Sequence, residues 1–514
     1  MRREEFHSSG LQALYPVNRL RSREEILREF NTPCSRFKSI ATTEETLRSF
    51  IGERMLDVDG FPSPSLVIDD GIPANWRRLL SFLHENGVTD APRFSERYRR
   101  NDRPYIPNFE LLPPRDSSSD GEPVAYGGFG GSFDPEEAMS KAVGEMLERF
   151  FLSTYQRESF RAASFAELQN NGENVIDLMQ FDFFHDWQKR LFPGLRWDET
   201  SVFRWVKGYA LESSQTLLIP AQIVFWNYHH GAQRNLASER MIFFQTTSGS
   251  AGHFTKDEAI LSALLEAIQR DGFLIYWLNS LAPKIIDIDT VEDPDVLRLV
   301  AYIRRFGIDI VFLDTTSDFG VPSATCAIID PHEKNGPVIS IGSSAGFDVR
   351  GTLMQSAIES MVVNNYVATN EKFELPTGYR AFSHFGIGRM ERLFSWRGPE
   401  MMDRFRFFIS GEKESVGTFM RNASTYDSVA SQLAHIRALC AKRGPGYEIY
   451  LYEIHNAVLD QLGYHVVRTI VPQLIPLYLG EFAATLNARR LKEVPEKIGY
   501  KAAKEFNPWP HPFP

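Results

Sequence analysis

Cysteine is scarce in this chain. Three residues in 514, Cys34, Cys326 and Cys440, stand far apart with no paired spacing, which excludes a disulfide framework and a cysteine-built zinc site. A reducing compartment fits, and Cys326 and Cys440 read as small core residues. Positive charge is also in deficit: 56 Lys and Arg against 66 Asp and Glu leave a net charge of -10. A broad electrostatic grip on nucleic acid or anionic lipid is therefore excluded, and an anionic ligand needs a local device. Long apolar runs are missing. No window approaches the roughly 18 apolar residues of a membrane span, and the first residues, MRREEFHSSGLQALYPVNRL, hold no signal-peptide core. The expectation is a cytoplasmic protein with neither nucleic acid nor membrane as partner. The familiar phosphate motifs are absent as well: neither GxxxxGKS/T nor a GxGxxG opening a βαβ unit occurs, so a P-loop and a Rossmann site are excluded.

What remains is material for a large core, with 43% hydrophobic and 24% charged residues. Residues 1–110 are mixed and charged, with short helical patterns such as SREEILREF and NWRRLLSFLHENGV. They lead into ELLPPRDSSSDGEP, whose Pro, Ser, Asp and Gly content marks a connector. Beyond it, the β-branched and aromatic runs LLIPAQIVFW (217–226), DIVFLDTT (309–316) and ATCAIID (324–330) alternate with helical stretches. This pattern predicts a mixed α/β domain over 111–505.

That domain contains an internal repeat. GGSFDPEEAMSKAVGEMLER (130–149) aligns without a gap on AGHFTKDEAILSALLEAIQR (251–270) and on SAGFDVRGTLMQSAIESMVV (344–363). Each copy runs small residues, a phenylalanine (Phe133, Phe254, Phe347), a polar turn and a helix. Glu145, Glu266 and Glu359 share one helical position, and Lys141, Ser262 and Gln355 lie one turn earlier on the same face. Three residues after the shared acid stand Glu148, Gln269 and Val362, so the third copy loses part of the pattern.

Carboxylates on helices otherwise rich in Ala, Leu, Ile and Met need a partner if buried. Two readings stand. Arg149 and Arg270 neutralise the acids, or the acids face water; alternatively, oxygen ligands from several helices gather Mg²⁺, which works with few carboxylates plus nucleotide phosphate oxygens. The glycine-rich stretches GGFGG (127–131) and SGSAG (248–252) suit the second reading if they are loops that admit phosphate to backbone N–H groups.

The segments AMSKAVGEMLERF, AILSALLEAIQRDGF and TLMQSAIES, in this order, resemble the three ATP- and Mg²⁺-binding helices of the YcaO superfamily, over roughly residues 124–514. The resemblance implies an α/β YcaO-type ATP-binding domain of repeated helix and strand units, with a small N-terminal region. It implies ATP and Mg²⁺ as cofactors, the metal held at Glu145, Glu148, Glu266 and Glu359. It also implies ligand contacts at Ser262, Gln269 and Gln355, with Arg149 beside the phosphates or supporting the glutamates, and with Lys141 or Ser140 on phosphate. The tail FNPWPHPFP (506–514) carries a PxPxP pattern similar to that of the azoline-forming members. A polyproline segment is stiff enough to deliver a carboxylate to a fixed place, which makes Pro514 the candidate catalytic base or positioning group.

The expected activity is an ATP-dependent cyclodehydratase converting Cys, Ser or Thr of a ribosomally made precursor peptide to thiazolines or oxazolines. The alternatives are a thioamide- or macroamidine-forming YcaO enzyme and a non-catalytic ATP-binding scaffold. The same resemblance implies a separate leader-binding E1-like partner protein, with 1–110 as a docking region, a homodimer within a complex, and a flavin-dependent azoline dehydrogenase for any later oxidation. Other conspicuous groups are assigned to structure. His229 and His230 belong to a loop, Asp287, Asp289 and Asp293 to a solvated segment, and Arg468 to a buried strand where it requires an anion.

Overall fold

The computed structural model describes residues 66–68, 74–96, 103–114, 118–119, 122–123 and 127–513, apart from 227, 229–238, 245, 334–335, 378, 384–386, 422 and 424–425. Cys34, His229, His230 and Pro514 lie outside the described residues, as does most of the N-terminal region.

Three sheets carry the architecture. The first orders β1 (Leu66–Ile68), β2 (Phe94–Glu96), β3 (Asn108–Leu111) and β4 (Gly128–Gly131), antiparallel throughout. Helix α1 (Ala74–Glu85) shares its apolar core. A domain boundary at residue 110 would fall inside β3, which pairs Asn108 with Gly131 and Leu111 with Gly128.

The second sheet draws on β5 (Arg161–Ser164), β6 (Val202–Ala210), β7 (Thr216–Pro220), β8 (Ser250–His253) and two late strands, β14 (Tyr450–Ile454) and β15 (His465–Ile470). Its order is β8-β15-β14-β6-β5, with β7 also on β6. The run at 217–226 is only half strand. Pro220 has no N–H to extend the ladder, and Ala221–Val224 turns helical.

The third sheet holds β9 (Lys284–Asp287), β10 (Asp309–Asp314), β11 (Ser323–Asp330), β12 (Val338–Ala345) and β13 (Lys413–Ser415) in the order β12-β11-β10-β9-β13. Every residue of β11 is buried, the polar Ser323, Thr325 and Asp330 included. Cys326 sits there as a free thiol; Cys440 is buried too.

The three repeat copies become α2 (Pro135–Ser153), α3 (Lys256–Leu278) and α5 (Val349–Thr369). Between the last two lies α4 (Pro294–Arg304), whose N-cap is Asp293, a residue expected only to be solvated. The repeat helices start at equivalent positions because each has a side-chain cap at the residue after the shared phenylalanine. Asp134 accepts from Glu136 N, Thr255 from Glu258 N and Asp348 from Gly351 N. Each helix follows an edge strand, β4, β8 or β12. It also reaches the next unit: α2 contacts β8, α3 contacts β12, and α5 contacts β4. The three units thus close in a ring.

Of the glycines expected to form phosphate-admitting loops, Gly128, Gly130, Gly131 and Gly252 are strand residues instead, while Gly127 and Gly249 stand just before the strands. A Cβ on Gly128 would overlap the backbone of Ala142 and Met146, and one on Gly130 the carbonyl of Ala138. Gly342, at the position in β12 equivalent to Gly128, would strike Ser356 and Ser360 in the same way. Their lack of a side chain lets strand and helix backbones touch.

Candidate nucleotide and metal site

A cavity of about 990 Å³ opens inside this ring. Glu145 and Glu148 from α2, Glu266 from α3 and Glu359 from α5 all line it, with Ser140, Lys141, Arg149, Arg270 and Gln355. Two of the expected ligand contacts are not in its wall. Ser262 is exposed and Gln269 is buried beneath it, with Nε2 lacking a hydrogen-bond partner. Serine is too short to reach across as Lys141 and Gln355 do, whose Nζ and Oε1 meet at 2.7 Å.

The shared glutamate does the same local work in each copy. Glu145 Oε2 accepts from Phe129 N (2.5 Å), Glu266 Oε2 from Gly249 N (3.0 Å) and Glu359 Oε2 from Ser343 N (2.8 Å). Glu145 and Glu359 are thereby tied to the strand before their helix, and Glu266 to the turn that leads into β8. Gly249 holds φ +84°, a conformation suited to glycine. An arginine one turn on completes two copies: Arg149 Nη2 lies 2.6 Å from Glu145 and Arg270 Nη2 3.1 Å from Glu266. Arg149 also donates to Gly127 O (2.8 Å) and lies over the Phe129 and Trp226 rings. It is thus engaged as a support for the first glutamate.

Glu148 is the odd member. Its Oε1 accepts from Ser250 Oγ at 2.5 Å across the unit boundary. Burial first, and then the charges of Glu266 and Glu145, push its carboxyl up to about 8. Burial also raises Glu359, against the pull of Arg270 and Ser343 N–H. Behind this wall stands Arg468, paired in register with Ser250, donating to Thr246 O (2.6 Å) and leaving Nη1 unpartnered. Burial pulls it down to about 10, while Glu266 and Glu148 act to hold its charge. Arg468 therefore feels the charge of Glu266 and Glu148 while donating to backbone carbonyls. No sequence pattern marked this pairing, which depends on β8 lying beside β15.

Acids that face one another with too little positive charge suit a divalent cation. Among the described residues, no three carboxylate, imidazole or thiol groups stand together as a ready metal cage. Such dispersion fits Mg²⁺, which takes one or two carboxylates, waters and phosphate oxygens rather than an all-protein shell.

The family model described as YcaO cyclodehydratase, ATP- and Mg²⁺-binding, matches residues 129–475. The chain belongs to the YcaO family. The match begins in β4, runs through all three glutamate helices and ends past β15, so the four glutamates of the cavity lie within it, while Trp76, Asn108 and Glu110 join the wall from before it.

An uncharacterized protein of Methanothermobacter thermautotrophicus is 23% identical over 262 residues, 50% of this chain and 61% of that protein. A heterocyclase solved with substrate and cofactor superposes with a TM-score of 0.64 at 17% identity, over 88% of this chain and 59% of its own. The YcaO protein of Methanopyrus kandleri, solved with AMPPCP and Mg²⁺, gives 0.53 at 17% identity, over 80% and 92%. The chain thus spans about three fifths of the first two relatives. The two structural likenesses establish the α/β YcaO fold expected from the repeat.

The tail is not a loose appendage. His511 and Phe513 are buried, Trp396 Nε1 donates to Pro510 O (3.0 Å) and Arg392 Nη2 to Phe513 O (2.9 Å). Both donors belong to the end of α6 (Arg389–Ser395) and its C-cap. Among the described residues, no helix is long and apolar enough to cross a membrane.

Proposed function

We propose that this YcaO protein is an ATP-dependent peptide cyclodehydratase that forms thiazolines or oxazolines from Cys, Ser or Thr. The observation that carries this reading is the meeting of three repeat helices, each bringing its glutamate to one cavity. Attack of the Cys, Ser or Thr side chain on the preceding carbonyl carbon, with its S–H or O–H proton released to solvent, gives a tetrahedral oxyanion adduct. Its oxygen attacks the γ-phosphorus of ATP and ADP leaves; loss of inorganic phosphate and the amide proton then closes the C=N bond of the ring. Oxygen thus departs as phosphate rather than as water.

Mg²⁺, when bound, supplies charge neutralisation to the triphosphate and the leaving ADP. Glu145, Glu148, Glu266 and Glu359 are the residues that would hold it. Lys141, Gln355 and Ser140 line the same cavity and would meet a nucleotide's polar groups. Positioning and electrostatic stabilisation suffice, so no enzyme nucleophile is called for. A separate leader-binding partner would present the peptide, docking on the N-terminal region. Because β1–β3 share a sheet with β4, and α1 an apolar core with α2, a truncation testing this has to stop before residue 66.

The test is mass spectrometry of a Cys/Ser/Thr-containing precursor peptide co-expressed with the protein and its partner. Each ring removes roughly 18 Da, with ATP consumed as phosphoryl donor. Phosphate release without peptide dependence, or a mass change matching exchange of oxygen for sulfur, would refute the assignment.

A further inference from the structure

Arg149 and Arg270 occupy equivalent positions in the first two copies, yet they are held differently. Arg149 has a backbone carbonyl and two aromatic rings around it. Arg270 is paired with Glu266 through Nη2 alone, while its buried Nε and Nη1 have no hydrogen-bond partner. The guanidinium lies over the Phe513 ring, 4.0 Å from its centroid. Phe513 is fully buried, packed 5.0 Å from Phe273, with its carbonyl held by Arg392. His511 is clamped between Phe273 and Tyr478, its Nε2 2.9 Å from Tyr478 O.

A guanidinium has five N–H donors in a fixed fork, and leaving them unmet in a protein wall is costly. A ring face attracts the cation without consuming any of those donors. Phe513 therefore fixes where Arg270 sits while leaving its free N–H groups for an anion.

We propose that Phe513 is a positioning residue, which holds Arg270 through its ring face so that the guanidinium's unpaired nitrogens receive a phosphate group of the bound nucleotide. This rests on the cavity being a nucleotide site. By this arrangement the tail acts on the nucleotide itself, through a side chain 243 positions earlier in the sequence.

The experiment is calorimetric titration of the full chain with AMPPCP and Mg²⁺. Phe513→Leu keeps an apolar side chain of similar bulk without a π face, and should weaken binding roughly 3- to 10-fold. Phe513→Tyr, which keeps the ring, should restore most of it. In an Arg270→Gln background, Phe513→Leu should have no further effect. Additive losses in this double-mutant cycle, or wild-type affinity in Phe513→Leu, would overturn the proposal. If Phe513→Leu does not fold, Phe513→Met takes its place in the cycle. Failure of the wild-type chain to bind AMPPCP with Mg²⁺ would instead sink the nucleotide reading.

Discussion

The first and third repeat copies share a capped helix, a strand glycine packed on that helix and a glutamate tied back to the strand. Beyond that they diverge. The first adds Glu148 and Arg149 to the cavity wall where the third adds the apolar pair Val362 and Val363, and it has Lys141 where the third has Gln355. The common glutamate is consequently a fastening as well as a candidate ligand, because a backbone N–H in the strand before its helix, or in the turn that leads into that strand, depends on it in every copy. Glu148 has no such fastening and faces Glu266 and Glu145 instead.

The largest effect should come from erasing that difference. Glu148→Val gives the first copy the third copy's residue; ATP turnover, measured as peptide-dependent phosphate release, should fall roughly 10²- to 10³-fold. Its urea midpoint should hold or rise, since a buried, poorly compensated carboxyl is removed.

A second test asks whether the copies are equivalent where they look alike. Gly128→Ala and Gly342→Ala each drive a methyl group into helix backbone and should each cost about 1–3 kcal/mol in chemical denaturation. A loss confined to one of them would break the equivalence.

A buried acid outside the repeats gives a measure of what an uncompensated carboxyl costs. Glu481 accepts from Tyr379 Oη at 3.3 Å, and burial, partly offset by Arg392, raises it to about 7 from the ordinary 4.5. The folded state then keeps a proton that the unfolded state releases, so its contribution is fully present at low pH and is lost as pH rises from about 4.5 through 7. Glu481→Gln should flatten the stability profile across that window by about 3 kcal/mol, read from thermal melts at successive pH values. The smallest effect is expected at the caps: Asp134→Ala, Thr255→Ala and Asp348→Ala should each cost about 1 kcal/mol.

What sequence made legible was local. Helical spacing put Glu145, Glu266 and Glu359 in register, and the shared phenylalanine marked where each helix begins, because both depend on a few neighbouring residues. The glycines misled for the opposite reason. GGFGG has the composition of a flexible loop, and only the approach of a helix to its own preceding strand shows why side chains are missing there. Ser262 and Gln269 obeyed the repeat spacing but not the packing. Arg270 was visible as a counter-charge to Glu266, yet its contact with Phe513 requires the tail to fold back onto α3. Pairings of that kind leave no periodic trace.

The ring of units has a consequence for how damage would spread. Each repeat helix shields the exposed margin of a neighbouring unit, so excising any one would strip cover from a strand whose free N–H and C=O groups invite pairing with another chain. Self-association, more than loss of a ligand, would be the first symptom of such a deletion.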